Sequence, residues 1–177
     1  MKRIFVWPLL FVCLCLCNSC APPPSSPFAA EGAFSAEIVG TLAGEELSAV
    51  IHASQKADTG EREVGVCFLS PSAWKGMAIR AVIRSDGELG EAQVTLGERS
   101  VPTEGGRVAG LLSPVLILLD ASEAATVQKQ GEEYLLTLGD GAQFWLDVEG
   151  RPKRYESESV SFSVVWWEAA GPWKEKG

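Results

Sequence analysis

A single histidine, His52, stands in a chain of 177 residues. One imidazole cannot build a multi-histidine zinc centre, and any Ser-His-Asp or Cys-His arrangement would have to run through that one ring. His52 lies in an alternating apolar stretch, where it reads as a structural residue. Cysteine is as scarce beyond the first 20 residues: of five cysteines only Cys67 follows Cys20. That excludes a disulfide framework and a paired redox motif, and Cys67, within the apolar run Val64 to Leu69, reads as a packed thiol. No apolar run reaches the roughly 20 residues that a membrane-spanning helix needs. The longest, Ile4 to Cys17, has 14 residues and contains Pro8.

Chemical motifs are missing too. No glycine-rich phosphate loop follows a strand pattern, and no aspartates fall in the D-x-D-x-D-G spacing of a calcium loop. Ser72-Ala73-Trp74-Lys75 matches S-x-x-K, but neither S-D-N nor K-T-G follows, and the chain is short for the fold that uses them. Neighbouring acids such as Glu45-Glu46 and Glu132-Glu133 would point to opposite faces of a strand, as solvated surface does. These gaps argue against an enzyme and leave no catalytic residue, metal or cofactor to name. Positive charge is also short, with 15 basic against 23 acidic residues and a net charge of −8. A domain so acidic is repelled by nucleic acid and by anionic membrane surfaces.

What is present begins at the amino end. Met1-Lys2-Arg3 supplies positive charge, Ile4 to Cys17 an apolar run, and Ser19-Cys20 a small residue followed by a cysteine. That layout resembles a bacterial lipoprotein signal, with Cys17 and Asn18 where the family usually has Leu and a small residue. The resemblance implies residues 1–19 as a cleaved signal peptide, Cys20 as a lipidated amino terminus, and a cell-envelope location with anchorage on the extracytoplasmic side. A retained apolar helix or ordinary cleavage at Ala21 are the alternatives, the second opposed by Pro22. Loss of Lys2 and Arg3 with the signal leaves 13 basic against 23 acidic residues, a net −10. Attachment then comes from the lipid and not from charge. Residues 20–32, with Ala21-Pro22-Pro23-Pro24-Ser25-Ser26-Pro27-Phe28, have the composition of an extended tether.

Residues 33–168 read as one domain. Apolar residues alternate, and turn signals recur every eight to twelve residues. Strands are expected near Phe34 to Val39, Leu47 to Ser54, Glu63 to Leu69, Met77 to Arg84 and Glu91 to Leu96. More follow at Thr126 to Lys129, Glu133 to Leu138, Ala142 to Val148, Arg154 to Ser159 and Val160 to Trp167. Between the two sets, Arg107 to Ala121 stops alternating. Ser113-Pro114 offers an N-cap and a first-turn proline, so a buried helix, apolar nearly all round, is expected there; a buried strand is the alternative. Residues 169–177 read as a loose tail.

About ten meandering strands, one apolar helix, the turn Val148-Glu149-Gly150-Arg151-Pro152-Lys153-Arg154 and a final strand with Phe162-x-Val164 together resemble the LolA/LolB-like group of lipoprotein carriers and lipid-carrying lipoproteins. Phe68-Leu69-Ser70-Pro71-Ser72-Ala73-Trp74-Lys75-Gly76 is similar to that group's strand-to-turn segment. The resemblance implies an all-β fold with one or two helices: a strongly bent antiparallel meander forming an unclosed half-barrel, with Leu111 to Leu119 as lid or plug. It also implies an apolar cavity for acyl chains.

Tryptophans are the residues with binding potential, either lining such a cavity or filling the core. Trp166 and Trp167 are neighbours in a strand and face opposite ways. Trp166 shares its parity with Phe162 and Val164 and is expected inside; Trp167 follows Ser161 and Ser163 and is expected outside. The candidate ligand-lining set is Trp74, Met77, Leu116, Leu119, Trp145 and Trp166, and the candidate ligand a lipid or other apolar small molecule. The alternative is a non-enzymatic structural or interaction lipoprotein whose barrel is filled by its own side chains.

Overall fold

The computed structural model describes residues 32–54, 57–120 and 126–169. The signal segment, Cys20, nearly all of the tether and the tail from residue 170 lie outside the described residues. Alternation becomes strand wherever one face can be buried: β1 (Phe34–Leu42), β2 (Glu45–Ala53), β3 (Arg62–Ser70), β4 (Met77–Ile83), β5 (Leu89–Leu96) and β6 (Arg99–Glu104) form a meander. Helix α1 (Gly105–Asp120) follows, and then β7 (Thr126–Gln130), β8 (Glu133–Thr137), β9 (Gln143–Asp147), β10 (Pro152–Glu156) and β11 (Val160–Ala169) form a second meander. All neighbours pair antiparallel in one eleven-stranded sheet of order β6-β5-β4-β3-β2-β1-β11-β10-β9-β8-β7. β1 and β11 meet in the middle, so the strands on either side of α1 become the two edges. The sheet is unclosed and carries one helix among the described residues, which is the expected all-β half-barrel.

Tight turns set the register. Between β1 and β2 the two-residue loop Ala43-Gly44 has positive φ at both positions, 51° and 85°, the geometry whose twist matches the flanking strands. Before β10, Asp147 Oδ1 accepts the backbone N–H groups of Glu149 and Arg151, and Oδ2 accepts Arg151 Nε at 2.7 Å. One carboxylate thus organises the turn that the sequence marks at Glu149-Gly150.

The core lies on one face. Ala36, Ile38, Ala49, Ile51, Val64, Val66, Ile79 and Phe144 are buried there together with Val108, Leu112, Val115 and Leu118 of α1. The helix begins at Gly105, eight residues before the expected cap at Ser113, because Gly105 has no side chain: a Cβ there would sit 2.5 Å from the Gly90 carbonyl oxygen and 2.7 Å from Leu89 Cβ. Pro114 is therefore internal. Its ring leaves the Gly110 carbonyl without its helical donor, and the Ser113 hydroxyl donates to that oxygen at 2.8 Å instead. Burial is also one-sided rather than all round: Leu112, Val115 and Leu118 face the sheet, while Leu111, Leu116, Ile117 and Leu119 are only half-buried.

One strand departs from expectation. β6 contains Pro102, which cannot donate to a ladder and is tolerated only at an edge.

Candidate functional site: an apolar face that outruns its helix

Antiparallel register turns the inner face into rows running across the strands. One row reads Trp167, Ala36, Ile51, Val66, Ile79, Val94, Val101 from β11 to β6. Its centre is wholly buried, Val94 is half-buried, and Val101 at the edge is 60% exposed. Beside it Met77 pairs with Leu96, which is 58% exposed. The adjacent row at the other end of the same strands stays covered through Ala81 and Ala92, because α1 starts there, directly after the Glu91–Glu104 pair. Apolar character therefore continues beyond the helix that covers it. Trp74, in the turn between β3 and β4, meets Phe68 edge-on at 5.3 Å and is half-buried against the core. Of the expected residues, Met77 thus falls beside the exposed apolar strip, and Trp74 is its neighbour in the turn, its carbonyl accepting the Met77 N–H at 2.9 Å.

Leu116 and Leu119 lie elsewhere. They line a cleft of about 590 Å³ with Ile83, Leu89, Arg62 and Asp120, where the last turns of α1 meet the loops after β2 and β4. Arg62 is buried despite its charge, and Arg84 at the rim is paired with Glu88 at 3.0 Å.

The other two tryptophans are on the opposite face. Trp145 alternates with Phe144 and Leu146 and is covered from outside by Arg154, whose guanidinium carbon lies 3.9 Å from the ring centroid. Its burial comes from a stacked arginine, outside the core cluster. Trp166 reverses the expected ranking. Opposite β1, Glu37 pairs with Trp166 but Ile38 pairs with Val164, so Val165 is an extra residue on β11. This bulge exchanges the two faces for everything after it. Trp166 is 39% exposed on the outer face, donating from Nε1 to Glu37 Oε2 at 3.1 Å. Trp167 points inward and stacks on Phe34 at 4.6 Å. The indole that belongs with the apolar face is Trp167, which sequence alternation excluded.

His52 sits on the outer face with its ring laid against Gly65; a Cβ there would come within 2.0 Å of Cε1. Burial, and then the neighbouring Arg80 charge, lower its pKa from 6.5 to about 4. It is neutral at physiological pH and lies on the opposite face of the sheet from the apolar strip. Among the described residues no group of three or more His, Cys, Asp or Glu side chains is placed to hold a metal ion, and no helix is long and apolar enough to cross a membrane.

No protein-family model and no curated protein matches the sequence. Among solved structures, the chain is similar to an uncharacterized conserved protein from Thermus thermophilus, at 17% identity over 79% of this chain and 80% of that one, with a TM-score of 0.46. It is also similar to a putative outer membrane lipoprotein-sorting protein domain from Vibrio parahaemolyticus, at 12% identity over 84% and 91%, with a TM-score of 0.45. A LolA superfamily protein from Nitrosomonas europaea follows at 13% identity over 78% and 71%, with a TM-score of 0.30.

Proposed function

We propose that this chain is a lipoprotein of the bacterial cell envelope, held on the extracytoplasmic side by acyl chains at Cys20, and that its open sheet binds a lipid or other apolar small molecule. The observation that carries the binding half is the pair of exposed residues Leu96 and Val101: Val101 ends an apolar row that is wholly buried two strands further in, and Leu96, on the same face, pairs with half-buried Met77. Contiguous exposed apolar surface marks a contact that is made with something. The apolar body of the ligand rests on Trp74, Met77, Val94, Leu96 and Val101. The cleft beside Leu116 and Leu119 is of mixed lining, with Arg62, Arg84, Glu88 and Asp120 around the leucines, and is not assigned to the ligand. Trp145 and Trp166 take no part, since both lie on the outer face. No catalytic residue is assigned.

Supporting the anchor are the charged start, the apolar run and the Ser19-Cys20 junction. Two acyl chains would give stable attachment without help from the acidic surface. Cells labelled with a fatty-acid analogue should mark the wild-type protein and leave Cys20→Ser unlabelled.

Binding is tested by titrating the full chain in detergent with a fluorescent polyene fatty acid. Saturable uptake is expected, and Leu96→Asp with Val101→Asp should weaken it at least tenfold. Both positions are exposed, so the fold tolerates the change. Equal uptake by the variant, or none by the wild type, would contradict the reading.

A second reading has its own support. Leu112, Val115 and Leu118 fill the middle of the sheet, as a plug does. On that reading the strip meets a protein of the envelope instead of a lipid, and the wild type takes up no fatty acid.

A further inference from the structure

Among the described residues the two edges of the open sheet are not equivalent. A free edge exposes backbone N–H and C=O groups that a further strand can pair with. In a two-residue hairpin the residues flanking the loop exchange both hydrogen bonds, and the outward groups belong to the alternate positions. On β6, where Leu96 pairs with Arg99 across Gly97-Glu98, the outward positions are Ser100, Pro102 and Glu104. Pro102 has no N–H, so it blunts that edge at its middle. On β7, Gln130 pairs with Glu133 across Gly131-Glu132, and the outward positions are Val127 and Lys129. Both carry an N–H, all five residues of β7 are exposed, and none is proline.

β7 also ends an apolar row. Phe162, Tyr155, Phe144 and Leu136 are buried and lead across β11, β10, β9 and β8 to Val127, which is 40% exposed. The next position on the same face of the sheet is Lys129, its ammonium 5.9 Å from the centroid of the Tyr134 ring. An added strand would therefore place one side chain beside Val127 and another beside Lys129.

We infer that the β7 edge is a strand-addition site for an extended peptide segment of a partner protein, running antiparallel, with an apolar residue opposite Val127 and an acidic residue opposite Lys129, two positions earlier in the partner. Backbone pairing supplies the attachment and the two side chains the selection. A second copy of this chain fits badly. In the two-fold registers centred on Gln128, Val127 or Lys129, each Lys129 meets Val127, residue 125 or another Lys129 and never an acid, and the two chains each carry a net charge of −8. This surface is separate from the apolar strip and does not depend on the ligand reading.

The probe is a synthetic peptide with the core Thr-Glu-Thr-Val-Thr, added to the full chain in detergent. Fluorescence anisotropy of the labelled peptide gives affinity, and hydrogen exchange gives the site. Saturable binding that slows exchange of the Val127 and Lys129 amides is expected, with loss of binding in Val127→Pro. Lys129→Glu should weaken it roughly fivefold, the scale of an exposed charge pair lost and reversed, and a peptide with Lys in place of Glu should recover it. Equal binding by wild type and Lys129→Glu, protection elsewhere in the sheet, or no saturable binding would overturn the proposal. So would a concentration-dependent dimer abolished by Val127→Pro, since the occupant would then be a second copy.

Discussion

Replacing Trp167 by alanine and, separately, Trp166 by alanine tests the bulge at Val165 and the inner face built upon it. Trp167 is half-buried and stacked on Phe34, itself a core residue. Truncation of a fully buried tryptophan costs about 3 to 5 kcal/mol; with part of the ring already in water, Trp167→Ala should cost about 2 to 3 kcal/mol. Trp166 is more exposed, and its hydrogen bond to Glu37 is made at the surface. Such a bond contributes on the order of 1 kcal/mol or less, so Trp166→Ala should cost about 1 kcal/mol. Urea denaturation of the full chain in detergent gives both values from the midpoint shift at constant slope. Acrylamide should quench Trp166 more readily than Trp167 in variants that retain one of the two. A larger loss for Trp166→Ala, or better protection of Trp166, would mean that β11 runs without the bulge.

Helix positions should separate by exposure: Leu112→Ala should cost roughly 3 to 5 kcal/mol, as for a filled core site, and Leu119→Ala about 1 to 2 kcal/mol; equal losses in denaturation would mean that both leucines face the sheet alike. His52 gives a pH dependence. Its folded pKa, about 4, is below the ordinary 6.5, so the stability from the neutral ring is fully present above about pH 6.5 and is lost as pH falls through 4. The loss is at most on the order of 3 kcal/mol, and a pH series of urea midpoints should be flatter for His52→Asn. Gly65→Ala should be destabilised by more than about 2 kcal/mol, because a Cβ pressed against the imidazole forces the ring off its seat; a thermal midpoint unchanged from wild type would contradict that contact.

Period-two alternation made nearly every strand legible, because each buries one face, and the turn glycines placed the hairpins. β6 escaped notice because Pro102 argues against a strand unless the strand is known to be an edge, and edges are a property of the assembled sheet. The start of α1 was hidden for a related reason: Gly105 and Gly106 are poor helix formers, and the gain is the close approach to Leu89 and Gly90 across the fold. Of the residues in the proposed site, Trp74 and Met77 are among those the sequence singles out, while Leu96 and Val101 are not, since their exposure depends on where α1 stops covering the sheet. Trp145 misled because a large apolar ring can be buried by an arginine as well as by a core. A bulge leaves no trace in composition, so the faces of Trp166 and Trp167 could be read only from their partners on β1.

Native mass spectrometry of the Cys20→Ala protein, purified without its signal segment under gentle conditions, bears most directly on the claim that the open sheet holds an apolar ligand. A population heavier by the mass of one lipid is predicted, lost on mild organic extraction and reduced when Leu96 and Val101 are both changed to Asp. A single mass equal to the bare chain, unchanged after incubation with envelope lipid extract, would contradict it.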